Sequence, residues 1–376
     1  MQPFHATGIY TSTVFPSLEP IDWSGFLERP RLPAPSSKAL ADLASQPILI
    51  TGAGGSIGSA LARRLAAANP RALILLDSDE SSLNHLRQSV RNISRTESIH
   101  TVLGDVRNAA LLDAIFAAHS PRIVFHAAAL KHVPLLEEQP LAAISTNIFG
   151  TLALARAASV HNGRIVLLST DKAVSPASVL GATKRAAERI VLSGGHIALR
   201  LGNVLATRGS VAEVFARQLA NGTPLTITSP SAHRYFLTIE EAVDLLLLTA
   251  TETDLPSLLV PNFTRQHLIT DLARYMAQSL GSERNFTMQF AHLRPGDKES
   301  ELLWSPAETA IPSHVPGLLR ITSPDQNAFP SARLNALEAA TEAREIPEAI
   351  VLLRKLVPDY TPSTFITALV RQVVTA

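Results

Sequence analysis

The sequence predicts an α/β fold built on a doubly wound parallel sheet, and three observations predict it. Short, near-continuous apolar runs recur from residue 47 onward, where a sheet exposed on one face would show alternation. Stretches of helical periodicity separate them, so strand and helix alternate as right-handed βαβ units require. A glycine-rich turn joins the first run to the first helix, at the sheet edge where open α/β sheets bind ligands.

Residues 1–46, rich in Pro and Ser with one apolar patch at Trp23, Phe26 and Leu27, read as an N-terminal arm or linker. The predicted strands are Ile48–Ile50, Ala72–Leu76, Ile99–Leu103, Ile123–Phe125, Ile165–Leu168 and Ile197–Leu199. The helices expected between them are Ser56–Ala68, Asp79–Arg91, Asn108–Ala118, Pro140–His161 and Leu180–Leu192. Residues 47–203 therefore form the dinucleotide-binding domain. After Asn203 the regularity breaks, and 204–306 is expected to be a smaller substrate-binding region from which the chain can return to the sheet. Residues 307–376 form a C-terminal extension, with 307–345 loop-rich and 346–376 helical around Ile350, Leu352, Leu353 and Leu356.

Composition excludes several classes of function. In 376 residues, 46% apolar and 17% charged residues are ample for a large core, and a net charge of +1 gives no field for nucleic acid or membrane surfaces. There is no cysteine, hence no disulfide, no thiolate zinc site and no thiol nucleophile. The twelve histidines are scattered, and the closest pair, His126 and His132, lacks ligand spacing, so no metal is expected. No signal pattern and no apolar run near ~18 residues is evident, so a soluble, cytoplasmic protein without a membrane span is expected.

The turn after the first strand reads Thr51-Gly52-Ala53-Gly54-Gly55-Ser56-Ile57-Gly58. Gly52 permits the tight turn, Gly55 lets backbone amides of the helix start (Ser56, Ile57) reach a pyrophosphate, and Gly58 lets the helix pack close. Asp77, nineteen residues after Gly58, closes the second strand and is placed to accept from the adenosine ribose hydroxyls. It would repel a 2′-phosphate, so NAD is favoured over NADP. Gly104-Asp105-Val106 follows the third strand, where Asp105 and Val106 meet either the adenine edge or, for Asp105, a helix cap. Ala127 and Ala128 follow the fourth strand and allow close backbone approach, and Asn147 reads as a buried polar tie. At the end of the fifth strand stand Thr170, Asp171 and Lys172, with Lys184 on the next helix, either an acid/base apparatus beside a cofactor or a solvated polar loop.

These features together resemble the extended short-chain dehydrogenase/reductases, a Rossmann-type fold. More narrowly, HAAALKHVPLLEEQP (126–140), STDKAVSPASVLGATKRAAE (169–188), RLGNVLATRGSV (200–211), RYFLTIEEA (234–242) and LRPGDK (293–298) resemble the UDP-N-acetylglucosamine 4,6-dehydratases of bacterial polysaccharide and glycan synthesis. One departure stands out: Leu180 occupies the position of the family's usual tyrosine, four residues before Lys184.

The resemblance implies NAD-dependent oxidation at C4 of a UDP-sugar, elimination of water across C5 and C6, and return of hydride to C6. It casts Asp171 as the acid at C6, Lys172 as the base at C5, Thr170 as a helper at C4, and Lys184 as the group holding the nicotinamide ribose. Arg208, Arg234 and Arg294 suit bidentate contacts to a diphosphate, with Lys131, Asn203 and Lys298 adding further contacts. A 4-epimerase of the same fold, or a catalytically silent NAD-binding protein, are the competing readings. A homo-oligomer is compatible with either.

Overall fold

Six strands carry the ligand-facing part of the sheet: β1 (Pro47–Thr51), β2 (Ala72–Asp77), β3 (Ile99–Leu103), β4 (Ile123–His126), β5 (Arg164–Thr170) and β6 (Ile197–Leu201). This is a computed structural model, and it describes residues 18, 21–94, 97–263, 265–282, 286–323 and 331–374. The six strands lie side by side as β3-β2-β1-β4-β5-β6, all parallel. Their order reverses between β1 and β4, which opens a crevice beyond the strand ends. Ile48, Leu49, Ile50, Leu73, Ile74 and Leu75 are fully buried, as strands covered on both faces must be.

The helix starts follow from local chemistry. Asp79 and Asn108 precede their helices and accept from the amides of Ser82 and Leu111, satisfying donors that a helix end leaves unpaired. Asn108, not Asp105, is thus the cap after β3. Pro140–Val160 runs as one helical stretch whose middle, Ile144–Phe149, is widened to a π-helix. Of its 21 residues, 18 in a row reach a mean hydropathy of 1.3, long and apolar enough by that measure to span a membrane, contrary to the expectation that nothing approaches that length. The reason lies in packing. Leu154, Ala157 and Ala158 face the sheet core, while Ile144 and Ile148 face the C-terminal helices.

The chain does return to the sheet. Ser257–Pro261 pairs parallel with β6, Leu318–Thr322 runs antiparallel beside it, and Thr309–Pro312 forms the edge, giving nine strands. The stretch 307–345 is therefore not loop-rich, since two strands and the helix Ser331–Glu342 lie within it. Both strands are short, and Arg320 and Pro312 interrupt the apolar residues that a pattern would catch. The described part of the N-terminal arm is docked. Ile21, Phe26 and Leu27 complete a second core with Phe215, Leu225, Phe236, Leu272 and Met276. The helices Ile346–Leu356 and Ser331–Glu342 cover Ala182, Ala186 and Ile190 of the helix Val179–Ser193.

Candidate active site

The glycine turn is built by contacts that admit no side chain. Gly52 has φ +69°, and a Cβ there would lie 2.5 Å from the Ala128 nitrogen, while one at Gly58 would lie 2.2 Å from the Gly52 oxygen. Gly55 differs, because its Cβ would meet only the Gly52 oxygen, at 3.2 Å. The helix Ser56–Ala66 starts with no side-chain cap, leaving the Ser56 and Ile57 amides open toward an anion. Asp77 takes a hydrogen bond from the Gly54 amide at 2.7 Å and from the Asp79 amide at 2.9 Å, fixing its carboxylate beside the turn. Asp105 folds onto Arg107, whose Nη1 reaches Ser145 at 3.2 Å, and Val106 is buried against Gly150. Substituting Gly52 by Ala is expected to cost about 1–3 kcal/mol and dinucleotide binding, whereas Gly55→Ala keeps the fold. Thermal melting with and without NAD checks both.

The floor of the crevice is tied by a buried chain. Thr151 donates to the Asn147 carbonyl at 2.7 Å, so His126 Nε2 donates to Thr151 (2.9 Å) and Nδ1 accepts from Thr51 (2.7 Å). Burial, with Lys184 nearby, pushes the His126 pKa down to about 3, so the ring is neutral. Asn147 Oδ1 accepts from the Leu130 amide, and its Nδ2 donates to the Leu130 carbonyl and Thr183 hydroxyl. Lys184 is buried and donates to the Leu168 carbonyl at 2.7 Å, and burial brings its pKa down to about 8.

At the end of β5 the predicted polar residues do meet. Asp171 is fully buried, and its Oδ1 accepts from Thr170 (3.0 Å) and Lys172 (3.1 Å), while Oδ2 has no hydrogen-bond partner among the described residues. Burial pushes the Asp171 carboxyl up toward its protonated form. Lys172 also donates to Asn203 Oδ1 at 3.1 Å and lies 3.7 Å from Glu301 Oε1. Burial alone would neutralise Lys172, but the charges of Asp171 and Glu301 outweigh it and hold the ammonium above its usual pKa.

The six residues expected at the substrate fall into separate places. Arg208 lies over the glycine turn, with Nη1 on Ser82 (3.0 Å), its amide on Ser56 Oγ (3.0 Å) and its carbonyl accepting from Lys131 (2.7 Å). Arg234 is buried and donates to the carbonyls of His233, Lys298 and Glu299. Lys298 donates to the Val174 carbonyl (3.0 Å) and pairs with Glu301 (2.8 Å). Asn203 joins the Lys172 cluster, and Arg294 stays exposed, paired with Asp297 at 2.8 Å. Sequence reasoning missed Glu301, although it follows the LRPGDK motif by three residues. Leu180 packs with Val133, Leu136, Ile350 and Ile366, so C-terminal helices complete an apolar setting at the usual tyrosine position.

The profile of a family described as polysaccharide biosynthesis protein matches residues 48–323. The chain belongs to this family. It is 38% identical to the probable polysaccharide biosynthesis protein EpsC of Bacillus subtilis (strain 168), over 68% of this chain but 44% of that protein. The chain thus spans less than half of that relative. It is 33% identical to a UDP-glucose 4-epimerase of Rickettsia prowazekii, over 73% of this chain and 82% of that protein. Among solved structures, Pen from Bacillus thuringiensis superposes with a TM-score of 0.68 at 26% identity, covering 74% of this chain and 90% of that one. The dTDP-glucose 4,6-dehydratase DesIV from Streptomyces venezuelae, solved with NAD and TYD, shares the fold at TM-score 0.60 and 21% identity, covering 68% and 88%. The chain thus shares its family with EpsC and its fold with Pen and DesIV.

Proposed function

We propose that the chain is an NAD-dependent 4,6-dehydratase acting on UDP-N-acetylglucosamine for polysaccharide or glycan synthesis. The observation that carries this reading is the Asp171–Lys172 pair, a buried acid of raised proton affinity in contact with an amine at 3.1 Å. Elimination of water across C5 and C6 needs a base and an acid side by side. Holding the pair's shared proton on Asp171 Oδ2 rather than on Lys172 leaves a neutral amine and a carboxylic acid with no change in total charge. Thr170 steadies Asp171 Oδ1, and the unpartnered Oδ2 is the atom with a hydrogen-bonding position to spend on the departing C6 oxygen. Asp171 has no exposed surface, so contact with a sugar requires the side chains around it to open.

The cofactor fits the turn. Gly52, Gly58 and the uncapped amides of Ser56 and Ile57 would hold its pyrophosphate, Asp77 its adenosine ribose, and Lys184 its nicotinamide ribose. Bound there, NAD supplies the acceptor for hydride from C4 and the donor of hydride to C6. Arg208 and Lys131, lying on the turn, extend that cofactor cradle. Arg294 is exposed and would meet a substrate diphosphate, while Arg234 and Lys298 hold the segment beside it.

The relatives named UDP-glucose 4-epimerase favour a second reading, epimerisation at C4, which needs no acid at C6. In heavy water the dehydratase is expected to deliver product with deuterium at C5, because the proton taken there comes back from solvent-exchanged Lys172. An epimerised product without deuterium at C5 would replace the first reading with the second.

A further inference from the structure

Glu301 is a buried acid, 2% exposed, in a segment already anchored without its carboxylate. The carbonyls of 298 and 299 are held by Arg234, the Glu299 side chain by Ser229 and Ser231, and the Glu301 carbonyl by Gln266 at 2.8 Å. The carboxylate instead turns to the reacting cluster, with Oε1 3.7 Å from Lys172 Nζ and Oε2 2.8 Å from Lys298 Nζ. Burying a carboxylate is costly, and here it is spent beside the two groups assigned the proton transfers.

We propose that Glu301 is a positioning residue of the reaction, setting the proton affinities of Lys172 and Asp171 together through its fixed negative charge. This rests on the dehydration reading. A negative charge beside an ammonium and a carboxyl makes both hold their protons more tightly. The groups facing the cluster are Lys172 and Asp171 from the end of β5, Lys298 from Glu301's own segment, and Arg234 from the strand His233–Arg234; the two cations partly offset Glu301. Because Glu301 raises both affinities, removing its charge lowers both, whichever limb of a bell-shaped pH profile each group owns. Both limbs of the bell then move to lower pH, whereas loss of a merely structural contact lowers its height and leaves it in place.

The test compares kcat against pH for the full chain with NAD and UDP-N-acetylglucosamine, beside NMR titration of the Lys172 ammonium. Glu301→Gln is expected to move the bell and the Lys172 titration to lower pH by about one unit, with KM changed less than about threefold. Glu301→Asp keeps the charge and the wild-type position. Lys298→Met, which removes the facing cation, moves both to higher pH and decides the matter if the glutamine variant does not fold. A bell that only shrinks in Glu301→Gln and stays put in Lys298→Met overturns the proposal alone. Absence of water loss by the unmodified protein overturns the dehydration reading and this proposal with it.

Discussion

Lys172→Met and Asp171→Asn are expected to bind NAD and UDP-sugar yet to turn over roughly 10²–10⁴ times more slowly, the worth of a positioned proton-transfer group. Both replacements are close in volume to what they remove, and Asp171 Oδ1 keeps its bond from Thr170 when Lys172 is gone. The two variants separate the roles. The methionine variant is expected to stop exchange of the C5 hydrogen with solvent. The asparagine variant retains that exchange while water loss at C6 fails. Single-turnover measurement of NADH formation and of C5 exchange checks this, and wild-type exchange in Lys172→Met would remove Lys172 from the role of base.

Arg200→Leu is expected to destabilise the fold by about 3–5 kcal/mol, the usual cost of leaving buried partners uncompensated. Arg200 is fully buried and spends all five N–H donors, two on Glu188, two on Glu308 and one on the Leu303 carbonyl, at 2.9–3.0 Å. Glu188 also takes the Ser169 hydroxyl at 2.6 Å, so the network fastens β5, just before Thr170, to the segment 303–308. Burial would raise the Glu308 carboxyl, but Arg200 outweighs it and holds the pKa down to about 2, below the ordinary 4.5. Its contribution to stability is therefore present above about pH 4.5 and lost as pH falls toward 2. Urea unfolding at neutral pH and at pH 3 measures both effects. Acid should narrow the gap between wild type and variant, and a neutral-pH loss under about 1 kcal/mol would mean that Arg185, 2.8 Å from Glu308, suffices alone.

The parallel strands were legible because burial on both faces leaves a signal in consecutive residues: Ile48–Ile50 and Ile165–Leu167 are fully buried runs of apolar side chains. Gly52 and Gly58 were legible because the backbone passes where a Cβ would collide. What escaped depends on partners far apart in the chain. Glu301 meets Lys172 across 129 positions, and Arg200 meets Glu308 across 108; no periodicity or spacing records such pairs. The same holds for Arg208 and Arg234, whose guanidinium groups suit a phosphate by type but are spent on the glycine turn and on carbonyls. The upward pull on the Lys172 pKa was likewise hidden, since it comes from two carboxylates folded against it.

Elimination of water from a nucleotide sugar by Asp171 and Lys172 beside a bound dinucleotide is tested by incubating the NAD-loaded protein with UDP-N-acetylglucosamine and weighing the product by mass spectrometry. The expected product is lighter than its substrate by one water, and Lys172→Met yields none. A product of unchanged mass, with only the C4 configuration inverted, would contradict it.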